Sequence, residues 1–274
     1  FIYYSLWEPF VDKDGYPAIK PPWGTLTALN LISGKKMWQI PLGEYEDLSK
    51  KNIKITGTQN RSGATATSGD LVFVSGCQAL DHHTVKVETN DFVEQAKICL
   101  EKIRIGMEET GGSWKTVIKT NIFIKNMDCL DTYRQVERDY FRSQGLSLSE
   151  DLPASTTFIV SELPRKEFLV EIEAFGLASN NHNVWPLEFY PGDRNRSGSV
   201  RAGNLIYYSA CHSIGSLEEQ INGGFEKLGI ACEKAGSSLN KVIKTNIMLT
   251  DTNNYSTMRR LETEFYRQNA PDLI

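Results

Sequence analysis

Two hydroxyl-bearing stretches, one carboxylate strand and one helical arginine hold the side chains of this sequence best suited to a small polar molecule. Ser75 stands beside Gly76 at the end of an apolar run, where hydroxyl and glycine backbone together can hold a carbonyl or carboxylate oxygen. Ser155 and Thr156 offer two adjacent hydroxyls, a set that suits a neutral ligand. Glu171 alternates with Val170, Ile172 and Ala174, which puts its carboxylate on the polar face of a strand, facing solvent or serving a site. Arg134 lies in a helical pattern and can bring positive charge to a site, or form a surface ion pair.

Other reactive residue types lack the company their chemistry needs. Asp81-His82-His83 has metal-ligand character but sits in a polar stretch without further ligands, which reads as an exposed loop. Cys211 and His212 are neighbours on a strand pattern, so their side chains point to opposite faces and form no nucleophile pair. The five cysteines are odd in number and have no short C-x-x-C spacing, which fits neither a disulfide framework nor a zinc site. No Ser-His-Asp set or Gly-rich phosphate loop is present. A net charge of −4 provides no general basic field for nucleic acid, and no apolar run is long enough for a transmembrane helix.

The elements that must position these residues come in two copies. V-I-K-T-N-I occurs at Val117–Ile122 and again, unchanged, at Val242–Ile247. Around it Glu101-Lys102 matches Glu226-Lys227, Gly111 matches Gly236, and Arg134 matches Arg259. Further upstream Arg61-Ser62-Gly63 matches Arg196-Ser197-Gly198, and the run ending in Ser75 matches the run ending in Ser209. A period this long is a domain duplication. In each copy a strand (Leu71–Val74, Leu205–Tyr208) follows a turn containing Gly69 or Gly203. A helix comes next, with Val93, Ala96, Leu100, Ile103 and Met107 at alternating spacings of three and four. The hexapeptide strand follows, over Val117–Ile124 and Val242–Leu249. A second helix buries Leu130, Tyr133, Val136 and Tyr140, or Tyr255, Met258, Leu261 and Phe265. Strands at Thr156–Val160 and Phe168–Phe175 close the first copy, giving an α+β unit of order β-α-β-α-β-β with helices on one sheet face. The second copy stops before its last two strands, so the polypeptide is expected to continue beyond Ile274, as it is expected to begin before Phe1.

The runs G-D-L-V-F-V-S-G, V-I-K-T-N-I-F-I, L-P-A-S-T-T and L-V-E-I-E-A, in this order, resemble the RidA (YjgF/YER057c/UK114) family. The resemblance implies a chorismate-mutase-like fold, trimeric assembly with pockets between subunits, and hydrolysis of enamines and imines to 2-oxo acids and ammonia. It also implies roles. Glu171 matches the family glutamate that positions the attacking water, while the family S-G-Q stretch becomes Ser75-Gly76-Cys77 in the first copy and Ser209-Ala210-Cys211 in the second. The family arginine of P-A-R-S/T-x-V, which pairs with a substrate carboxylate, is replaced by Ser155; a serine supplies no charge, and anchoring of a small anion should weaken. Arg134 is the candidate substitute. Ser62 stands where the family has a tyrosine. No cofactor is implied for these repeats. The implied ligand is a small metabolite, and the implied assembly a homo-oligomer or a pseudo-trimer, since two copies cannot close a threefold ring. RNA cleavage, sometimes ascribed to the family, is disfavoured by the acidic balance.

Residues 1–58 belong to neither copy. Gly24–Leu31, then Ser33-Gly34, then Lys35–Trp38 reads as strand, turn and strand ending in an indole suited to packing between propeller blades. Gly15–Tyr45 resembles the C-terminal part of pyrroloquinoline-quinone-dependent (glucose-type) dehydrogenases, and the two resemblances meet near Asn60–Val74. That cofactor is implied only if a complete propeller precedes this chain, because about sixty residues cannot build one. The expected domains are a quinoprotein-like β segment at 1–58, repeat 1 at 59–178, a linker at 179–193 and repeat 2 at 194–274. Location is expected to be cytoplasmic from the first resemblance, or periplasmic if the second reflects a whole dehydrogenase.

Overall fold

In the computed structural model, residues 10–29, 34–53, 55–58, 64–66, 70–81, 86–146, 152–178, 186–192 and 196–271 are described. They divide into two compact units, Phe1–Gly63 with Leu80–Glu88, and Ala64–Ala79 with Thr89–Ile274.

In the first unit, strands β1 (Thr25–Leu29) and β2 (Lys36–Pro41) pair antiparallel, as the strand–Gly–strand pattern predicts. A short helix, α1 (Glu46–Lys50), follows. Trp23 stacks on Tyr16, and Tyr45 meets both rings edge-on at 5.1 and 5.4 Å. The hairpin has two strands, whereas a propeller blade has four. Trp38 is 49% exposed, so its indole packs against no second blade among the described residues.

The second unit begins with β3 (Ala64–Ala66) and β4 (Leu71–Cys77). Helix α2 (Phe92–Glu109) starts where the Asp91 carboxylate caps the Glu94 N–H at 2.9 Å, and it buries Ala96, Leu100, Ile103 and Met107. It stops before Gly111, whose φ of +83° reverses the chain. Strand β5 (Val117–Ile124), helix α3 (Leu130–Ser143) and strands β6 (Ala154–Ile159) and β7 (Val170–Leu177) complete the order expected of the first repeat. On α3 the buried aromatic of the last turn is Phe141; Tyr140 lies half-buried, its hydroxyl donating to Glu101 at 2.8 Å. The strands run β3-β4-β7-β5-β6, with β5 parallel to β6 and antiparallel to β7. Helices α2 and α3 cover one face, packing on Val72, Val74, Ile122, Ile124, Val170 and Ile172. The opposite face carries Lys119, Asn121, Glu171 and Glu173, as alternation along β7 requires.

The second repeat departs from expectation. A strand, β8 (Leu187–Pro191), forms within the expected linker 179–193 and pairs with β9 (Ser197–Ala202), which with β10 (Leu205–Tyr208) extends the first repeat's sheet; β9 meets β6 at Ala154–Ser197. Helices α4 (Leu217–Lys234) and α5 (Tyr255–Asn269) form as predicted, α4 under a reciprocal Ser216/Glu219 cap. The strand expected at Val242–Leu249 is absent: these residues pair with no strand among the described residues, and Ile243 is 86% exposed. The cause is missing partners. Its twin β5 is held between β6 and β7, and no counterparts of those strands follow α5 among the described residues. No helix among them is long and apolar enough to cross a membrane.

Candidate functional site

The structure sorts the candidate residues into two groups. The first lies where β4 meets β7. The ladder is irregular between Val74 and Cys77, and there Ser75 is exposed while Gly76 is buried. The Glu171 carboxylate packs directly on Gly76: a Cβ at that position would stand 2.0 Å from the carboxylate oxygen Oε1, so only glycine admits this approach. Burial raises the Glu171 pKa, the Gln78 side chain opposes this by hydrogen bonding, and neighbouring Glu173 adds to it. Glu173 in turn accepts from Asn121 Nδ2 at 3.4 Å. Burial pushes the Cys77 thiol up to about 12, so it is neutral and unreactive near pH 7. Gly76 and Glu171 thus come together as an approachable backbone and a carboxyl whose neutral form burial favours, with Ser75 next to Gly76 along the chain.

The second group lies on the seam between the repeats. Ser155, on β6, is joined to Ser209, the counterpart of Ser75 in the second repeat, and Thr156 beside it is joined to Lys119. Ser155 N donates to Ser209 Oγ at 2.8 Å, Ser209 Oγ donates to Ser197 O at 2.6 Å, and Ala210 N donates to Ser155 O at 3.2 Å. The Ser155 hydroxyl accepts from Thr120 Oγ1 at 3.2 Å and from Arg196 Nη1 at 3.4 Å. The same guanidinium donates through Nη2 to Glu137 at 2.8 Å, and Tyr133 donates to the other oxygen of Glu137 at 3.1 Å. Burial pushes the Glu137 carboxyl up, and the Arg196 charge works against it. Thr156 Oγ1 accepts from Lys119 Nζ at 2.6 Å, and Lys119 also donates to Tyr208 O at 2.8 Å. Burial brings the Lys119 ammonium down to about 8, opposed by Cys211.

Arg134 belongs to neither group by contact. It pairs with Asp131 on its own helix at 3.2 Å, the surface role that α3 geometry favours, and Arg259 likewise pairs with Glu262. Arg196 is the positive charge that reaches Ser155, and sequence reasoning used it only as a repeat landmark. The signal available was its recurrence as Arg-Ser-Gly in both copies. Glu137 and Lys119 were also missed as site residues. Arg61-Ser62-Gly63, Gly69, His82 and His83 lie outside the described residues. Among the described residues no group of three or more His, Cys, Asp or Glu is arranged to hold a metal ion.

Two family models match the chain. Residues 56–178 match "Endoribonuclease L-PSP", and residues 2–97 match "Glucose/ethanol/alcohol dehydrogenase, beta-propeller domain". The two overlap across the junction where the sequence patterns meet. A RutC family protein of Pyrococcus abyssi is 32% identical over 106 residues, covering 39% of this chain and 77% of that protein. A 2-iminobutanoate/2-iminopropanoate deaminase of Dermatophagoides farinae is 29% identical over 106 residues, 39% of this chain and 77% of its own. The quinate/shikimate dehydrogenase (quinone) of Acinetobacter baylyi is 36% identical over 74 residues, 25% of this chain but 9% of the dehydrogenase.

Proposed function

The chain belongs to the RidA family, to which the RutC and UK114 proteins also belong, and on that premise we propose that it binds a small metabolite, with imine deamination reduced by the loss of the carboxylate-binding arginine. The observation that carries this reading is the seam: Ser209 of one repeat is hydrogen-bonded to Ser155 of the other, and the only guanidinium contacting Ser155 among the described residues is the one held by Glu137. A guanidinium neutralised by a buried carboxylate does not hold an anion as a free fork would. The set suits a neutral or carbonyl ligand, with Thr156 and Lys119 as donors nearby. Ser75, Gly76 and Glu171 form the second half of the reading. Ser75 and the Gly76 backbone hold an oxygen, and Glu171 orients water for attack on an imine carbon, which yields a carbonyl compound and ammonia.

The units we propose are 1–58, 59–178, a linker at 179–193, and 194–274, with a third RidA-like unit completing a pseudo-trimer. The test is ammonia release from an enamine generated in situ by a serine/threonine dehydratase, alongside thermal shifts with 2-oxo acids, amino acids and neutral carbonyl compounds. Ammonia release above background but well below that of an arginine-bearing family member, with a shift for a carbonyl or neutral compound, is the expected result. Release at the rate of an arginine-bearing family member would overturn the claim for Ser155, and no shift with any compound would overturn binding.

A second reading, favoured by the match over residues 2–97, is that the chain is the C-terminal part of a quinone-dependent dehydrogenase carrying RidA-like repeats. The first unit does not fit pyrroloquinoline quinone by itself: every residue of β2 is exposed, and Tyr16, Trp23 and Tyr45 pack on one another rather than around a cavity. Reading the coding frame upstream of Phe1 separates the two. Repeated strand–Gly–strand–Trp units there support the dehydrogenase.

A further inference from the structure

Lys119 stands on the open face of the sheet with no carboxylate paired to it among the described residues. Its Nζ donates to Thr156 Oγ1 at 2.6 Å and to Tyr208 O at 2.8 Å, both neutral oxygens. An ammonium carries three N–H groups and a neutral amine two. Two acceptors therefore satisfy the neutral form in full, and the fourth tetrahedral position of the nitrogen is left to a lone pair. The titratable groups facing it are neutral too. From β10 and the residues after it come the Tyr207 and Tyr208 phenols and the Cys211 thiol, all held above their ordinary pKa by burial. Lys227 of α4 acts on the same thiol and is tied to His212 O at 2.7 Å. On β7, Phe175 is in register with Lys119, while the Glu173 carboxylate lies opposite Asn121 and accepts from it. Burial accordingly favours the amine and brings its pKa to about 8. About one Lys119 in ten is then neutral at pH 7, against about one in three thousand for an ordinary lysine.

Lys119, Thr156, Phe175 and Tyr207 all keep some exposure, so a small molecule can reach the nitrogen. Beside it Phe73, Phe175 and Tyr207 form an aromatic row, with successive ring centroids 5.4 and 6.3 Å apart. We propose that Lys119 forms a reversible imine with a neutral aldehyde bearing a flat apolar group, the amine acting as nucleophile and the aromatic row receiving that group. The inference rests on the reading of the seam as a site for a neutral carbonyl compound, and it names the chemistry done there. The Nζ lone pair forms a bond to the carbonyl carbon while the C=O π pair moves to oxygen. One nitrogen proton passes to that oxygen, giving a carbinolamine. The C–O bond then breaks, the second nitrogen proton leaves with the oxygen as water, and the imine remains. Aldehyde and amine become imine and water, with no oxidant or reductant. The Thr156 hydroxyl, which accepts from Nζ, can donate its own O–H to the carbonyl oxygen as that atom gains charge.

The probe is benzaldehyde with sodium cyanoborohydride, which reduces an imine to a stable secondary amine, added to the full chain at pH 7 and followed by intact mass and peptide mapping. One adduct per chain is expected, on Lys119, formed at least about tenfold faster than at Lys97, which is exposed and paired with Glu94. The rate at Lys119 should level off above a pH of about 8, while surface lysines go on gaining toward their own higher pKa values. Lys119→Arg keeps a cation and N–H donors but no nucleophilic amine, and should lose this adduct with labelling of the other lysines unchanged. Where that variant does not fold, the map and pH profile of the parent protein decide alone. Labelling spread over the exposed lysines with Lys119 not preferred overturns the proposal, as does a Lys119 rate that rises with pH like theirs. A thermal shift with benzaldehyde and no adduct at Lys119 overturns the imine and leaves binding of a neutral carbonyl compound standing, whereas neither shift nor adduct overturns both.

Discussion

Lys119 and Glu171 share the open face of the sheet, and burial resists charging of both, from opposite sides of neutrality. For Lys119 the folded pKa, about 8, lies below the ordinary 10.5, so the unfolded chain binds more protons between those values. Stability from this group is therefore present above the unfolded pKa and lost as pH falls toward 8. Lys119→Met should flatten the stability profile between pH 8 and 10.5, where the parent gains on the order of 3 kcal/mol, measured by urea unfolding at stepped pH. Glu171 runs the other way. Its raised pKa contributes stability at low pH that is lost as pH rises through the folded value, so Glu171→Gln should not destabilise the protein at pH 7. Gly76→Ala should displace the Glu171 carboxylate and abolish ligand-induced thermal shifts, while Ser75→Ala only weakens them. Arg196→Met should cost about 3–5 kcal/mol, because it strands Glu137 uncompensated beneath the seam. Adding Glu137→Gln should recover most of that loss, which a double-mutant cycle in urea reads directly. That pair shows why the site was only half legible in the sequence. Ser75, Ser155 and Glu171 stand in recognisable strand patterns, whereas Glu137 falls beside the apolar stripe of its helix and is paired with a residue 59 positions away. Helical periodicity carries no information about such a partner.

Elements made of identical residues can differ wholly in what holds them. Caps and spacing made α2 and α4 readable, since Asp91 and Ser216 sit where a helix must begin and the apolar positions recur on one face. The alternation of β7 likewise announced which face bears carboxylates. The hexapeptide misled for a physical reason: a β-strand takes its stability from neighbouring backbones, and the same six residues have two neighbours in one copy and none in the other among the described residues. Paired substitutions should expose the difference. Ile118→Ala is expected to cost about 2–5 kcal/mol, since its side chain is fully buried with Ala154, Leu177 and Val200. Ile243→Ala, at the matching position, should change stability by less than about 0.5 kcal/mol. Equal losses in chemical denaturation would mean that Val242–Leu249 is covered in solution.

At the scale of the second unit, two repeats share one sheet but not one set of partners. A small apolar cluster joins Ile118, Ala154 and Leu177 of the first repeat to Val200 and Ala202 of the second, with Phe175 and Tyr207 beside it. The main core belongs to the first repeat alone, and the second repeat's helices bury a third cluster around Phe225, Tyr266 and Ala270. Cooperativity should follow this distribution. β9 and β10 are tied to β6 through the shared cluster and through the Ser155–Ser209 and Arg196–Glu137 contacts, so they should open together with the first repeat. Helices α4 and α5 have their own cluster, and among the described residues no strand pairs with Val242–Leu249, so they should open at lower free energy. Native-state hydrogen exchange is then expected to give three classes of amide. Those of α2, β5 and β7 should exchange only through global unfolding, those of α4 and α5 through a smaller partial opening, and those of 242–249 fastest of all. Val200→Asp, which buries a charge in the joining cluster, should pull β5 out of the slowest class even though it lies in the other repeat. If β5 kept its protection while β9 lost its own, the repeats would be separate cooperative units that merely touch.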